Sequence, residues 1–268
     1  MRKLIYSITG ISMMLLVASC TKDKTAEPQT SDVVGADVLA MVKKQGFSDE
    51  NVTRAEGGYI VEGDIFLSDN ELTAPANWGT LEIANVEQYR TTNLVSVNGT
   101  RTITLSLKSG LPSSYVAAVD EVVNRYNDLN LTIKFQRVSS GGNIEFSKAP
   151  RGAGYLASAG FPTSNGTPYG SVKVNSGYLG NNPGTSYLAT ILAHEVGHCI
   201  GFRHTDYMDR SYSCGGSPYN EGASSVGAIL IPGTPSGPDA NSWMLSCIGS
   251  GVNRPFNNND KTALNYLY

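Results

Sequence analysis

This chain of 268 residues lacks a large excess of either charge, and it contains no charge run and no internal repeat. Its formal net charge is −3, so electrostatics gives no support for nucleic acid as a partner. Hydrophobic residues make up 40% of the chain, which is enough to build a core for one large domain, or one domain with a smaller module. The composition therefore predicts a globular protein that does not bind nucleic acid.

Histidine is also scarce, and its distribution is informative. The chain has three histidines, and all of them lie in one short window, at His194, His198 and His204. Residues four apart share a face of a helix, so His194 and His198 can offer two imidazole nitrogens to one metal ion. Gly201 can end that helix in a left-handed conformation, which lets the chain turn and bring in His204 as a third ligand.

Glu195 lies beside the first of these histidines, where it can act on a water molecule without being a metal ligand. Three protein ligands leave one coordination position open, which is typical of a catalytic zinc site rather than a structural one. The alternative is an amphipathic helix with partly buried histidines. The length of the pattern, His-Glu-x-x-His-x-x-Gly-x-x-His, argues against that alternative.

The pattern resembles the zinc signature of the metzincin metallopeptidases, which implies Zn²⁺ as cofactor and Glu195 as the catalytic general base. The implied fold class is α+β. It has a twisted, mostly parallel sheet with an antiparallel edge strand, a backing helix, an active-site helix and a loop-rich C-terminal subdomain that ends in a helix. The stretch 171–175 resembles the edge strand, preceded by the glycine-rich stretch 152–162, and the alternative is that these are ordinary core strands. Such an edge binds an extended peptide by backbone pairing, so a protein or peptide substrate is expected.

Local patterns predict further elements. Alternation of polar and apolar residues predicts strands at 102–107, 131–135 and 143–146. After Pro112 the apolar residues repeat with the period of a helix, which predicts a helix there. Thr185 or Ser186 is expected to cap the zinc helix. Asn259-Asp260 is expected to cap a last helix over 261–268. Gly197 inside the zinc helix costs about 1 kcal/mol relative to alanine, which a close neighbour would explain.

Ser242-Trp243-Met244 resembles the Met-turn, which places a methionine beneath the zinc; the alternative for Met244 is plain core packing. Astacins, a metzincin subfamily, have a tyrosine where this chain has Ser246, and a glutamate where it has Thr205. The chain is therefore not a standard astacin. The zinc motif, Ser-Trp-Met, the C-terminal end and Glu-Gly-Asp-Ile at 62–65 resemble the bacterial dual-action HEIGH metallopeptidases, from about residue 36 to the end.

Residues 36–90 are predicted to be a pro-segment, and residues 91–268 the catalytic domain, with maturation cleavage expected somewhere near Arg90. Glu-Gly-Asp-Ile resembles a motif of astacin pro-segments, Phe-x-Gly-Asp-Ile, although Val61 replaces the phenylalanine. The resemblance implies that Asp64 ligates the zinc and keeps the enzyme latent. The alternative is that Asp64 only turns a hairpin.

The N-terminus is predicted to be a targeting segment. A basic start and an apolar run to Val17 are too short for a membrane-spanning helix and suit a signal peptide over 1–19. Val-Ala-Ser-Cys at 17–20 resembles the bacterial lipobox, which implies lipidation of Cys20. The alternatives are an ordinary signal peptide and a cytoplasmic protein with an apolar start. Residues 20–35 are polar and predict a flexible tether.

Export permits disulfides, and three cysteines remain after Cys20, which allow one bridge and leave one thiol. We favour Cys214–Cys247, because both lie in the loop-rich region after the zinc motif. Cys199 lies on the zinc helix and can equally be a small buried hydrophobic residue.

The expected function is a zinc-dependent endopeptidase, exported as a latent monomer and held to a bacterial membrane by its lipid alone. It would face the periplasm or the cell surface, with release after processing as a further option. One alternative is a catalytically inactive zinc-binding surface lipoprotein, which the intact Glu195 argues against. The other is a zinc hydrolase of a non-peptide bond, whereas the expected edge strand favours peptides.

Overall fold

The computed structural model describes residues 33–75, 88–223, 225–235 and 237–268. The predicted signal peptide and the lipidation site Cys20 lie outside the described residues, as does most of the predicted tether. Within the described ranges, no helix combines the length and the apolar character needed to cross a membrane.

The described residues form seven α-helices, one short 3₁₀ helix at Ser113–Tyr115 and ten strands. The helices are α1 Ala36–Lys44, α2 Asp69–Thr73, α3 Val116–Asn127, α4 Ser176–Leu179, α5 Thr185–Ile200, α6 Ser211–Cys214 and α7 Asn258–Leu267. The strands are β1 Thr53–Ala55, β2 Gly58–Val61, β3 Ile65–Ser68, β4 Tyr89–Arg90, β5 Arg101–Leu107, β6 Ile133–Arg137, β7 Ile144–Lys148, β8 Ala157–Ser158, β9 Ser171–Val174 and β10 Ile229–Leu230.

The main sheet has five strands in the order β6-β5-β7-β9-β8. The first four run parallel, and β8 pairs antiparallel with β9 at one edge. Residues from the sheet, α3 and α5 share one hydrophobic core. The Tyr126 hydroxyl of α3 donates a hydrogen bond to the Ala193 carbonyl of α5 at 2.9 Å, so α3 supports the middle of α5. The predicted fold class, α+β with a mostly parallel sheet, is confirmed.

The prediction that 171–175 form the edge strand is wrong. Strand β9 lies inside the sheet between β7 and β8, and the antiparallel edge is the short β8 within the glycine-rich stretch. Val172 and Val174 are both fully buried in the main core. Alternation of polar and apolar residues is the same for an inner and an outer strand, so the pattern alone does not identify the edge.

The helix ends differ from the predicted caps. The N-cap of α5 is Gly184 rather than Thr185 or Ser186, and no side chain caps this helix. Its C-cap is Gly201 with φ 113°, in the left-handed conformation that the sequence predicted. Helix α7 begins after Asn257, whose side chain accepts from the backbone N–H of Asp260 in a capping box. The predicted cap at Asn259-Asp260 is therefore displaced by two or three residues.

Helix α7 is tied to distant parts of the chain through the buried carboxylate of Asp260. This carboxylate accepts hydrogen bonds from Gln88 Nε2 at 2.7 Å, Ser242 Oγ at 2.9 Å and the Trp243 backbone N–H at 3.2 Å. Strand β4, which follows Gln88, pairs antiparallel with β10. Residues 88–90 are thus packed against the C-terminal half of the chain.

The N-terminal segment 33–75 has a small antiparallel sheet, β1-β2-β3, whose hydrophobic cluster also includes Phe161 from the later part of the chain. The turn between β2 and β3 contains Glu62 with φ 52° and Gly63 with φ 88°. After this turn, the Phe66 N–H donates to the Ala159 carbonyl at 2.8 Å, and the Ala159 N–H donates to the Asp64 carbonyl at 3.1 Å. These bonds hold the turn beside the edge of the main sheet.

Candidate metal centre

The structure brings the three histidines and Asp64 together. His194 and His198 lie one turn apart on α5, and the turn at Gly201 carries His204 back towards them. The Nε2 atoms of His194 and His198 are 3.0 Å apart. Asp64 Oδ2 lies 3.2 Å from His204 Nε2 and 3.4 Å from His194 Nε2. The four ligand atoms all lie within 4.8 Å of one another, which is a geometry that can hold one metal ion.

In His194 and His198, the hydrogen bonds of Nδ1 determine that Nε2 faces the site. His194 Nδ1 lies 2.9 Å from the Trp243 carbonyl, and His198 Nδ1 lies 2.8 Å from the Phe202 carbonyl. A carbonyl oxygen only accepts, so each Nδ1 carries a proton, and the neutral ring has its lone pair on Nε2. Two lone pairs then face each other at 3.0 Å, an arrangement that a cation between them stabilises.

The third histidine is held by a carboxylate. His204 Nδ1 lies 2.9 and 3.0 Å from the two carboxylate oxygens of Glu221, which is fully buried. Burial opposes a charge on His204, but the carboxylates of Asp64 and Glu221 raise its pKa well above the usual range. A carboxylate behind a metal-ligating histidine orients the ring and increases its basicity. A metal ion would replace the proton on His204 Nε2.

These residues fit a zinc ion. The inward atoms are three imidazole nitrogens and one carboxylate oxygen, which are ligand types that Zn²⁺ binds with four-fold coordination. His194, His198 and His204 would hold the ion, with Asp64 in the fourth position. Burial, followed by the neighbouring histidines, lowers the pKa of His198 well below its usual range, which favours the neutral form that a metal requires.

Glu195 lies beside this cluster and is 2% exposed. Burial and the nearby charge of Asp64 raise the pKa of its carboxyl well above the usual range. Its Oε2 atom has no hydrogen-bond partner among the described residues. Glu195, His194 and Asp64 all line a cavity of about 260 Å³. The carboxylate is therefore available to a molecule bound in that cavity.

Gly197 has the close neighbour that its helical position predicted. A Cβ atom at this residue would lie 2.5 Å from the Sδ atom of Met244, which is fully buried. The Met-turn candidate thus packs against α5 between the two helical histidines. Ser246, at the position of the astacin tyrosine, donates a hydrogen bond to Asp206 Oδ1 at 2.8 Å.

A buried group of charged residues surrounds the site. Arg203 donates to Glu62 Oε2 at 3.1 Å, and Arg210 donates to Glu221 Oε1 at 2.7 Å. The sequence prediction missed the roles of Glu62, Arg203 and Glu221. Glu221 is the only glutamate after Glu195, which was a weak signal, but its spacing from His204 follows no helical or strand repeat.

The turn at Gly63 places Asp64 at the cluster, so Asp64 both turns a hairpin and contacts the histidines. A Cβ atom at Gly63 would lie 2.5 Å from Arg210 Nη2, which shows how closely the backbone approaches the cleft.

Cys214 and Cys247 form a disulfide, and Cys199 is a buried free thiol. Cys247 also lines the metal cavity.

A family model described as dual-action HEIGH metallo-peptidase matches residues 60–268. Two solved structures are similar over 65% of this chain. Myroilysin is 16% identical with a TM-score of 0.41 over 82% of its chain. High choriolytic enzyme 1, a hatching enzyme zinc-protease from the medaka fish Oryzias latipes, is 18% identical with a TM-score of 0.38 over 92% of its chain. No curated protein sequence matches. The family match spans most of the chain, so this chain belongs to the dual-action HEIGH metallopeptidases.

Proposed function

We propose that the protein is a zinc endopeptidase that cleaves internal bonds of proteins or peptides, with Glu195 as general base. The observation that carries the proposal is the convergence of three histidine Nε2 atoms beside the unpartnered carboxylate of Glu195. The Nδ1 atoms of the three histidines contact two backbone carbonyls and a carboxylate, so each ring is held with its Nε2 atom towards the metal position. The cavity against α5 gives a substrate access to these groups.

When bound, zinc supplies Lewis-acid polarisation of the peptide carbonyl and of the attacking water. Glu195 accepts one proton from that water as the water oxygen bonds to the carbonyl carbon. Glu195 then donates this proton to the amine nitrogen as the carbon–nitrogen bond breaks. The carboxylate returns to its starting state, so one residue serves as both base and acid.

We propose further that segment 33–75 holds the enzyme latent through Asp64. Two observations support this proposal. Asp64 Oδ2 lies beside His194 and His204. The backbone N–H and carbonyl of Ala159 are both hydrogen-bonded to the backbone of residues 64 and 66. A substrate that pairs with the sheet edge needs those same backbone groups. Departure of the segment would free both the fourth metal position and the edge.

We place the end of the pro-segment upstream of Gln88 rather than near Arg90. Gln88 donates to Asp260, and the Arg203 N–H donates to the Tyr89 carbonyl at 2.9 Å. A cut after Arg90 would remove these groups from the buried interior of the catalytic part. A chain that begins at Gln88 should therefore be more stable than one that begins at Thr91.

We also propose export with lipid attachment at Cys20, supported by the lipobox-like residues 17–20. The Cys214–Cys247 disulfide suits an oxidising compartment outside the cytoplasm. Incorporation of labelled palmitate into the wild type, and its loss in Cys20→Ser, would be expected in a bacterial host. Labelling that persists in Cys20→Ser would contradict the anchor.

The catalytic role of Glu195 is tested by casein hydrolysis with a chain that begins at Gln88. We expect hydrolysis to need zinc and to stop with a chelator. Glu195→Gln should bind one zinc ion per chain and lose activity by about 10²–10⁴-fold, the usual contribution of a general base. The matched control is Glu145→Gln, which removes a surface carboxylate paired with Lys108. Full activity in Glu195→Gln would contradict the proposed role.

A further inference from the structure

A second cavity, of about 360 Å³, adjoins the metal cavity. Four residues line both cavities, so the two cavities are neighbours: Gly154, Tyr155, Leu156 and Ile248. The second cavity extends from these shared residues to Tyr178, on α4, and Tyr187, on the first half of α5. A peptide bound across the shared residues would reach both cavities.

The lining of the second cavity is aromatic and uncharged. Tyr155, Tyr178 and Tyr187 contribute three rings, and none of the described residues that line it carries a charge. Its apolar floor belongs to a small cluster that includes Tyr187, Leu156 and Ile248, separate from the main core. Tyr178 is 76% exposed, so a large ring is held in contact with solvent beside this floor. Such a surface favours an uncharged aromatic ring, because aromatic rings attract one another beyond the burial of their area.

Asn175 holds the walls of this cavity in place. Its Nδ2 donates to the Ala153 and Tyr155 carbonyls at 2.8 and 2.9 Å, and its Oδ1 accepts from the Tyr178 N–H at 3.1 Å. Both polar atoms of the amide are thereby used within the protein. Asn175 thus fixes the backbone of Tyr155 and Tyr178. A ligand therefore binds to a wall of the cavity that is formed before binding.

Helix α5 gives the axial separation between a residue of the second cavity and a residue of the metal cluster. Tyr187 lines the second cavity, and His194 belongs to the metal cluster. At about 1.5 Å per residue, these positions are separated by about 10 Å along the helix axis. An extended peptide rises about 3.3 Å per residue, so this distance corresponds to about three substrate residues.

We propose that the second cavity binds an aromatic side chain of the substrate, about three residues from the bond that is cut. This assignment rests on the proposed endopeptidase function. None of the described residues in 33–75 lines the cavity, so the described part of this segment leaves the cavity uncovered. Binding to it can therefore be measured in the full chain, without activation and without zinc.

The binding test uses N-acetylphenylalanine amide and N-acetylalanine amide, with saturation-transfer NMR on the full chain after chelator treatment. We expect the phenylalanine probe alone to bind. Tyr178→Ala should weaken this binding about two- to tenfold, the effect of losing one ring contact. The matched control is Tyr266→Ala, which removes a 57% exposed tyrosine on α7. Equal binding of the two probes, or equal binding by wild type and Tyr178→Ala, would overturn the proposal.

The link to catalysis is tested by mapping casein cleavage sites with the zinc-loaded full chain that carries Asp64→Ala. We expect phenylalanine, tyrosine or tryptophan to be enriched about three residues from the cleaved bond, and Tyr178→Ala to remove that enrichment while cleavage continues. Cleavage without such enrichment would overturn the subsite. Absence of all cleavage, both by this variant and by the zinc-loaded chain that begins at Gln88, with probe binding intact, would overturn the peptidase function and with it the substrate role of the cavity.

Discussion

At the scale of single residues, the metal centre depends on groups that hold the histidines from behind. Two of these groups are backbone carbonyls, at Trp243 and Phe202, which are available in any sequence. The third is the side chain of Glu221, which is distant from His204 in sequence and also accepts from Arg210. The sequence predicted the three histidines as candidate zinc ligands because their spacing is local. It did not predict Glu221, because only the folded loop brings that residue to His204.

Glu221→Gln should weaken zinc binding about 10- to 100-fold, the usual effect of losing a carboxylate behind a ligating histidine. The amide keeps the shape of the side chain but removes the charge that increases the basicity of His204. Zinc affinity is measured by competition with a chromogenic chelator on folded protein. Glu145→Gln, at the surface, should leave the affinity unchanged. An unchanged affinity in Glu221→Gln would show that Glu221 does not support the metal.

Gly197→Ala should destabilise the protein, although alanine is the better helix former by about 1 kcal/mol. The new Cβ atom would meet Met244 Sδ at 2.5 Å and Trp243 Nε1 at 3.2 Å. Overpacking of this kind costs about 1–3 kcal/mol. Denaturant unfolding measures the change, with Ser186→Ala at an exposed position of the same helix as control. A gain in the free energy of unfolding for Gly197→Ala would contradict the packing of the Met-turn.

At the scale of helices and strands, the sequence predicted what depends on local pattern. The strands near 102–107, 131–135 and 143–146 and the helix end at Gly201 are present. The sequence misplaced the sheet edge, because β8 has two residues and so is too short to show a period. The start of α5 was also misplaced, because Gly184 gives no side-chain signal for a cap.

The disulfide should stabilise the loop-rich region that follows the zinc motif. Its cysteines are 33 residues apart, and closing a loop of that length stabilises the fold by about 3–4 kcal/mol. We expect the Cys214→Ser/Cys247→Ser double variant to lose about this much free energy of unfolding in urea. A reductant should lower the free energy of unfolding of the wild type to that of the double variant, and it should leave the free energy of the double variant unchanged. Equal midpoints for the wild type and the variant would rule out this contribution.

At the scale of the whole molecule, segment 33–75 reaches the catalytic part through two carboxylates. Asp64 contacts His194 and His204, and Glu62 is bound by the buried guanidinium of Arg203. The sequence identified Asp64 by resemblance to a short motif that includes Glu62, but nothing in it identified the role of Glu62, whose partner is 141 positions away. The segment therefore lies over the cleft, with one carboxylate among the candidate metal ligands and a second one buried nearby.

The most direct test of this account is the initial rate of casein hydrolysis by the zinc-loaded full-length chain, compared between wild type and Asp64→Ala. The account predicts that Asp64→Ala is at least about tenfold faster, the factor for about 1.4 kcal/mol of lost inhibition. Asp69→Ala, which removes a surface carboxylate of the same segment paired with Arg54, should match the wild type. Equal rates for wild type and Asp64→Ala would contradict the claim that Asp64 closes the metal site.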